Sequence, residues 1–157
     1  MSRWIDSWMP GSPTGSGSAE EQTHPGERFG LPASGPGSVA GFWRRFGGVT
    51  IDWLLGYLVS LLFVGADSFG RGSTFGWTIW LVWFGITALA VAVFGSTPGM
   101  LALGMRAAPI DGRAVVGVPR AVIRTLLLGL VIPPLVRDDD GRGWHDRAGA
   151  TIVIRTR

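Results

Sequence analysis

Two long apolar runs constrain this chain more than anything else in it. Residues 46–66, FGGVTIDWLLGYLVSLLFVGA, are 21 residues with one charge, Asp52. Residues 75–95, FGWTIWLVWFGITALAVAVFG, are another 21 with none. A bilayer core is crossed by roughly 20 apolar residues in helical form, so each run has the length of a span. Trp77, Trp80 and Trp83 gather toward one end of the second run, as an interfacial aromatic belt requires. A soluble core holding two such helices needs amphipathic helices to surround it, and the remaining sequence supplies no clear ones.

A third run, AVIRTLLLGLVIPPLV at 121–136, has only 16 residues, with Arg124 near its start and Pro133-Pro134 near its end. That is short for a span. Charge bias supports two crossings. Arg28, Arg44 and Arg45 precede the first run, only Arg71 lies between the runs, and Arg106, Arg113, Arg120, Arg137, Arg142 and Arg147 follow the second. The positive-inside rule then places both termini in the cytoplasm and 67–74 outside. The expected fold class is an all-α membrane protein. It has two transmembrane helices, a short half-inserted or third membrane helix, and a small interfacial helix with a β-hairpin on the cytoplasmic side. The helices are expected at about 43–66, 75–96 and 119–136.

Residues 1–41 are rich in Gly, Ser and Pro, with four acidic and two basic residues and no hydrophobic period. They read as a disordered cytoplasmic tail, leaving 42–157 as the membrane domain. The opening MSRWIDSWMPGSPTG has no apolar core of a signal peptide, so the first span is expected to act as an uncleaved anchor. After the second run, Thr97 is a candidate N-cap, Pro98 a first helical residue and Gly104 a stop, which makes one short helix. MRAAPI-DG-RAVVGV carries the Asp-Gly hairpin signal, and ATIVI near the C-terminus reads as a strand able to pair with that hairpin.

Four stretches in this order carry a resemblance: RRFGGVTIDWLL, STPGMLALGMRAAPIDGR, AVIRTLLLG and WHDRAGATIVI. Together they resemble the RDD family of bacterial membrane proteins, over about 42–154. The resemblance implies that the family's arginine is Arg45, at the start of the first membrane helix, that its first aspartate is Asp52 within that helix, and that its second is Asp146. Met100 stands where family members often carry a basic residue. The resemblance implies no defined activity; transport is the role often suggested.

Asp52 lies roughly 9 Å into the first run, taking a 1.5 Å rise per residue. A charge near the bilayer centre costs about 2.5–3.5 kcal/mol on insertion scales, so Asp52 is expected to face protein or water. Gly48, Asp52, Gly56 and Ser60 recur every four residues as a small-residue stripe that admits a neighbouring helix. Ala88, Ala92 and Ser96 repeat the spacing on the second run. Arg45 is about 10.5 Å from Asp52 along the axis, a stretch for a direct bridge. Arg124 is therefore the expected partner of Asp52, which leaves Asp146 to pair with Arg45 or Arg120.

Composition removes other functions. There is no Cys, which excludes disulfides and thiolate metal sites. The net charge of +3 comes with no basic stripe separable from the apolar runs, so nucleic acid is not an expected partner. Asp138-Asp139-Asp140-Gly141 lacks the alternate spacing of a calcium loop, and His24 and His145 are too few for a histidine-based zinc site. With no activated nucleophile, P-loop or dinucleotide fingerprint, neither an enzyme, a metal nor a cofactor is expected. Two functions stay open. One is transport of a proton or small cation at Asp52 across the cell membrane, by a homo-oligomer or with other membrane proteins. The other is a non-transporting assembly or scaffolding module in which the Arg/Asp pairs are structural.

Overall fold

The computed structural model describes residues 23–65, 73–130 and 138–157. Helix α1 runs Phe42–Val64 and helix α2 Ser73–Phe94. Neither contains a proline, and each stops at a glycine with positive φ, Gly65 at 78° and Gly95 at 67°. Both are long and apolar enough to cross a bilayer, and only 22% and 28% of their apolar windows are buried. That low burial is the reverse of a soluble core helix: most of each helix's apolar surface faces outward.

The buried residues of α1 are Gly48, Asp52, Gly56 and Ser60, the four-residue stripe of the sequence. Gly56 lets α2 approach so closely that a Cβ there would lie 2.8 Å from the Cβ of Trp83. One turn away, the rings of Trp53 and Trp83 stack at 4.8 Å. Farther along α2, Val91 and Ala92 form a buried cluster with Val116 and Ala121.

The short helix α3, Pro98–Ala102, begins as the sequence demands. Thr97 is its N-cap, accepting from the Met100 N–H, and Pro98 is in its first turn. Gly104, at φ 63°, turns the chain into strand β1, Met105–Pro109. Helix α4 is Val118–Gly129, helix α5 Trp144–Ala148 and strand β2 Thr151–Arg155. β1 and β2 pair antiparallel, Ala107 opposite Val153. Ala40, Met100, Met105 and Val153 close a small core where this sheet meets α3.

Three expectations change. The Asp-Gly turn forms around Gly112, but 113–117 is not a strand. Val116 is instead drawn into the cluster with Val91 and Ala121, and β1 takes β2 as its partner. The third helix ends at Gly129 rather than 136, with 12 residues, or about 18 Å, too short to span. The Pro133-Pro134 step lies outside the described residues. The tail also contributes structure from residue 23 onward. Glu27–Phe29 form a 3-10 turn, Arg28 reaches Asp140 at 2.7 Å, and Val39 bridges to Ile154. Ala40 donates to the Val153 carbonyl, and Ser38 and Gly37 exchange backbone bonds with Arg155. Segment 37–40 thus covers the free edge of β2, an edge that otherwise presents unpaired backbone.

Candidate functional site

Two aspartates organise the interior, and they are held in opposite ways. Asp146, on the first turn of α5, has no solvent exposure. Its Oδ2 accepts from Nη1 of Arg45 at 2.6 Å, and its Oδ1 accepts from Nη2 and Nε of Arg124 at 2.9 and 3.2 Å. Nε2 of His145 lies 3.3 Å from the same Oδ1. Burial by itself pushes the Asp146 carboxyl up. The charges of Arg124, His145 and Arg45 outweigh it and hold the group down at about 2. One carboxylate therefore ties α1, α4 and α5 together. Arg45 extends the knot by donating Nε to the Ala40 carbonyl and Nη2 to that of Val153.

Asp52 is held by neutral donors. Its Oδ2 accepts from the Thr97 hydroxyl at 2.5 Å and its Oδ1 from the Gly99 N–H at 2.7 Å. Thr97 does two jobs with one oxygen: it accepts from Met100 N as the cap of α3 and donates its proton to Asp52, which a hydroxyl can do at once. Gly99 is required there. A Cβ on it would collide with the Gly48 carbonyl oxygen and crowd the Asp52 carboxyl.

The expected Asp52–Arg124 bridge does not form. Arg124 is spent on Asp146 and acts on Asp52 only through its field. α5 places the Asp146 carboxylate against α4, where the buried guanidinium gives two charge-assisted hydrogen bonds to its Oδ1. Of the two partners expected for Asp146, Arg45 is the one observed. Arg120 instead pairs with Asp111 at 2.7 Å on the surface.

Beside Asp52 lies a cavity of about 370 Å³ between α1, α3, α4 and α5, at the small end for a ligand pocket. Phe42, Phe46, Val49, Trp53 and Leu128 give it apolar walls. Arg45, Asp52, Thr97, Arg124 and His145 line its polar end. Nη1 of Arg124 is buried with no hydrogen-bond partner among the described residues, and so are Trp83 Nε1, Thr87 Oγ1 and Thr125 Oγ1 on α2 and α4.

Sequence reasoning missed Thr97 and Gly99 as the partners of Asp52. The signal was in STPG, where a cap hydroxyl has a proton left to give. A model of the RDD family matches residues 39–150, most of the chain. No curated protein and no solved structure matches it.

Proposed function

The chain belongs to the RDD family, and from that premise we propose that this membrane protein conducts protons, with Asp52 as the exchanging group. One observation carries the reading: Asp52 lines a cavity and, among the described residues, is hydrogen-bonded only to neutral donors, so it can gain or lose a proton without breaking an ion pair. Asp146 is its opposite, a fixed counter-ion for two arginines. The buried hydroxyls of Thr87 and Thr125 add polar positions in the helix interior. A proton suits the site better than a metal cation, since a cation needs several oxygen ligands and the guanidinium of Arg124 lines the same cavity.

In this reading α1 and α2 cross the cell membrane as a hairpin. Residues 37–40 are bonded to 153–155, which supports both ends of the domain lying on one side. The arginine bias makes that side the cytoplasm. Two crossings enclose little volume, so the working unit is a homo-oligomer, and the protein is not an enzyme.

The test is the full chain in liposomes, with an internal pH dye and an imposed gradient. Wild type should dissipate the gradient and Asp52→Asn should not, at equal incorporation. Equal rates for the two, or no flux from wild type, would overturn the reading. The Arg45–Asp146–Arg124 knot favours the alternative of an assembly or scaffolding module, because its bonds join α1, α4 and α5. That module predicts no flux from either protein.

A further inference from the structure

The cavity beside Asp52 has a chemical demand on its wall that the described residues do not meet. Arg124 is 1% exposed, and its Nε and Nη2 both go to Asp146. Arg124 lines the cavity, and its Nη1 is buried with no hydrogen-bond partner among the described residues. A guanidinium N–H kept from water requires an acceptor. Asp52, in the same cavity, has acceptor capacity beyond its bonds to Thr97 and Gly99. Away from this polar end Phe42, Phe46, Val49, Trp53 and Leu128 give apolar walls, and Phe46, at 56% exposure, stands on the outward face of α1. A molecule in the membrane could therefore enter from the side.

We propose that this cavity binds a small monocarboxylic acid with an apolar body, its carboxyl accepting from Nη1 of Arg124 and sharing one proton with Asp52. The planar oxygen pair of a carboxyl suits a guanidinium edge. Two carboxyls at one site cannot both stay ionised, so they hold a proton between them. A phosphate head would bring a further negative charge against Asp52, and an amine would face Arg124. The groups around the shared proton are consistent with this. α4 offers Arg124, α5 offers His145, and α1 offers Arg45, whose charge is already matched by Asp146. α3 offers only the neutral Thr97 hydroxyl and Gly99 N–H, and α2 no lining side chain. The proposal rests on the reading of Asp52 as a proton-exchanging group and names the solute that accompanies the proton.

The probe is carboxyl-labelled octanoic acid, titrated into the full chain in nanodiscs of zwitterionic lipid, with empty discs subtracted and binding read by native mass spectrometry and carbon NMR. Wild type should take up one acid per chain, and methyl octanoate and octyl phosphate should not compete. Because one proton is bound with the acid, affinity should fall about tenfold per pH unit once both carboxyls ionise. Asp52→Asn should keep binding but lose that steep dependence, since an amide can donate to the ionised acid. Val49→Trp fills the cavity without touching the Arg45–Asp146–Arg124 bonds and should abolish binding in a protein that still elutes as a single folded species. Saturable uptake of octyl phosphate but not of octanoic acid would make the ligand a lipid phosphate and overturn the proposal. Absence of saturable uptake, or equal uptake by Val49→Trp, would overturn it as well. Acid binding without Asp52-dependent flux would sink the transport reading and leave the site; flux without acid binding would do the opposite.

Discussion

The sharpest test of the interior is Asp146→Asn. The change is nearly isosteric, so its cost is electrostatic. In the native protein one carboxylate with no exposure faces two guanidiniums, Arg45 at 2.6 Å with 11% exposure and Arg124 at 2.9 Å with 1%. The two guanidiniums and the carboxylate thus sum to one excess positive charge before any change, with His145 beside them. Asp146→Asn raises the excess to two. Arg45→Gln lowers it to zero, and Arg124 and Asp146 remain paired. Removing one member of a buried pair costs about 3–5 kcal/mol because the other is stranded, and here two are stranded, so the upper end applies. Arg45→Gln forfeits charge-assisted hydrogen bonds worth about 1.5–3 kcal/mol. For a chain of this size each kcal/mol moves the midpoint by roughly 2–4 °C. Asp146→Asn should therefore lower it by roughly 10–20 °C and Arg45→Gln by roughly 3–12 °C. The assay is thermal unfolding of detergent-solubilised protein followed by tryptophan fluorescence and soluble monomer recovery. The double variant should cost less than the sum by about 0.5–3 kcal/mol, the range for contacting groups. If Arg45→Gln is the more damaging single change, or if the two effects add, the carboxylate is not what holds α1 to α4 and α5.

Four further outcomes follow from the same geometry. The Asp146 carboxyl is lowered from 3.8 to about 2; its contribution, about 2 kcal/mol, is complete above the unfolded value of 3.8 and is lost as pH falls through about 2. Acid titration of stability should show that loss in wild type and not in Asp146→Asn. Thr97→Val removes both the α3 cap and the donor to Asp52 and should cost about 2–4 kcal/mol, most of it recovered by Thr97→Ser in the same melt. Gly99→Ala drives a methyl into the Gly48 carbonyl and should cost at least about 1–3 kcal/mol, whereas Gly85→Ala, with nothing within 4 Å of its Cβ, should leave the midpoint unmoved. Deleting 23–38 removes the Arg28–Asp140 pair and the bonds of Ser38 and Gly37 to Arg155, so the midpoint should drop; an unchanged midpoint would show that this segment adds nothing to the fold.

Elements governed by local chemistry were legible in the sequence. Unbroken apolar runs gave α1 and α2, Thr97-Pro98 gave the start of α3, and ATIVI gave β2. The burial of Asp52 followed from its place among Gly48, Gly56 and Ser60, because helical spacing fixes which residues share a face. Its partner did not follow. Arg124 and Asp146 are 22 residues apart and Arg45 and Asp146 are 101, and periodicity within a helix says nothing about which helices meet. Segment 37–40 was illegible for a different reason: its sequence GSVA has no alternating pattern, and it is held by backbone bonds to β2, which leave no periodic signature in the side chains. The Asp-Gly hairpin signal described its turn correctly and its second arm wrongly, since burying Val116 against α2 outweighed strand pairing.

The span of 101 residues between Arg45 and Asp146 also sets a timetable for biogenesis. Arg45 enters the membrane boundary with α1, while its counter-ion has yet to be synthesised. At 5–20 residues per second that interval is roughly 5–20 s, far longer than helix formation takes. Throughout it the Arg45–Asp146 bond cannot form, and the strand that β1 and residues 37–40 both require is still missing. The domain cannot close until β2 has left the ribosome, so a stop ahead of Thr151 leaves an open chain for the quality-control proteases of the membrane to find.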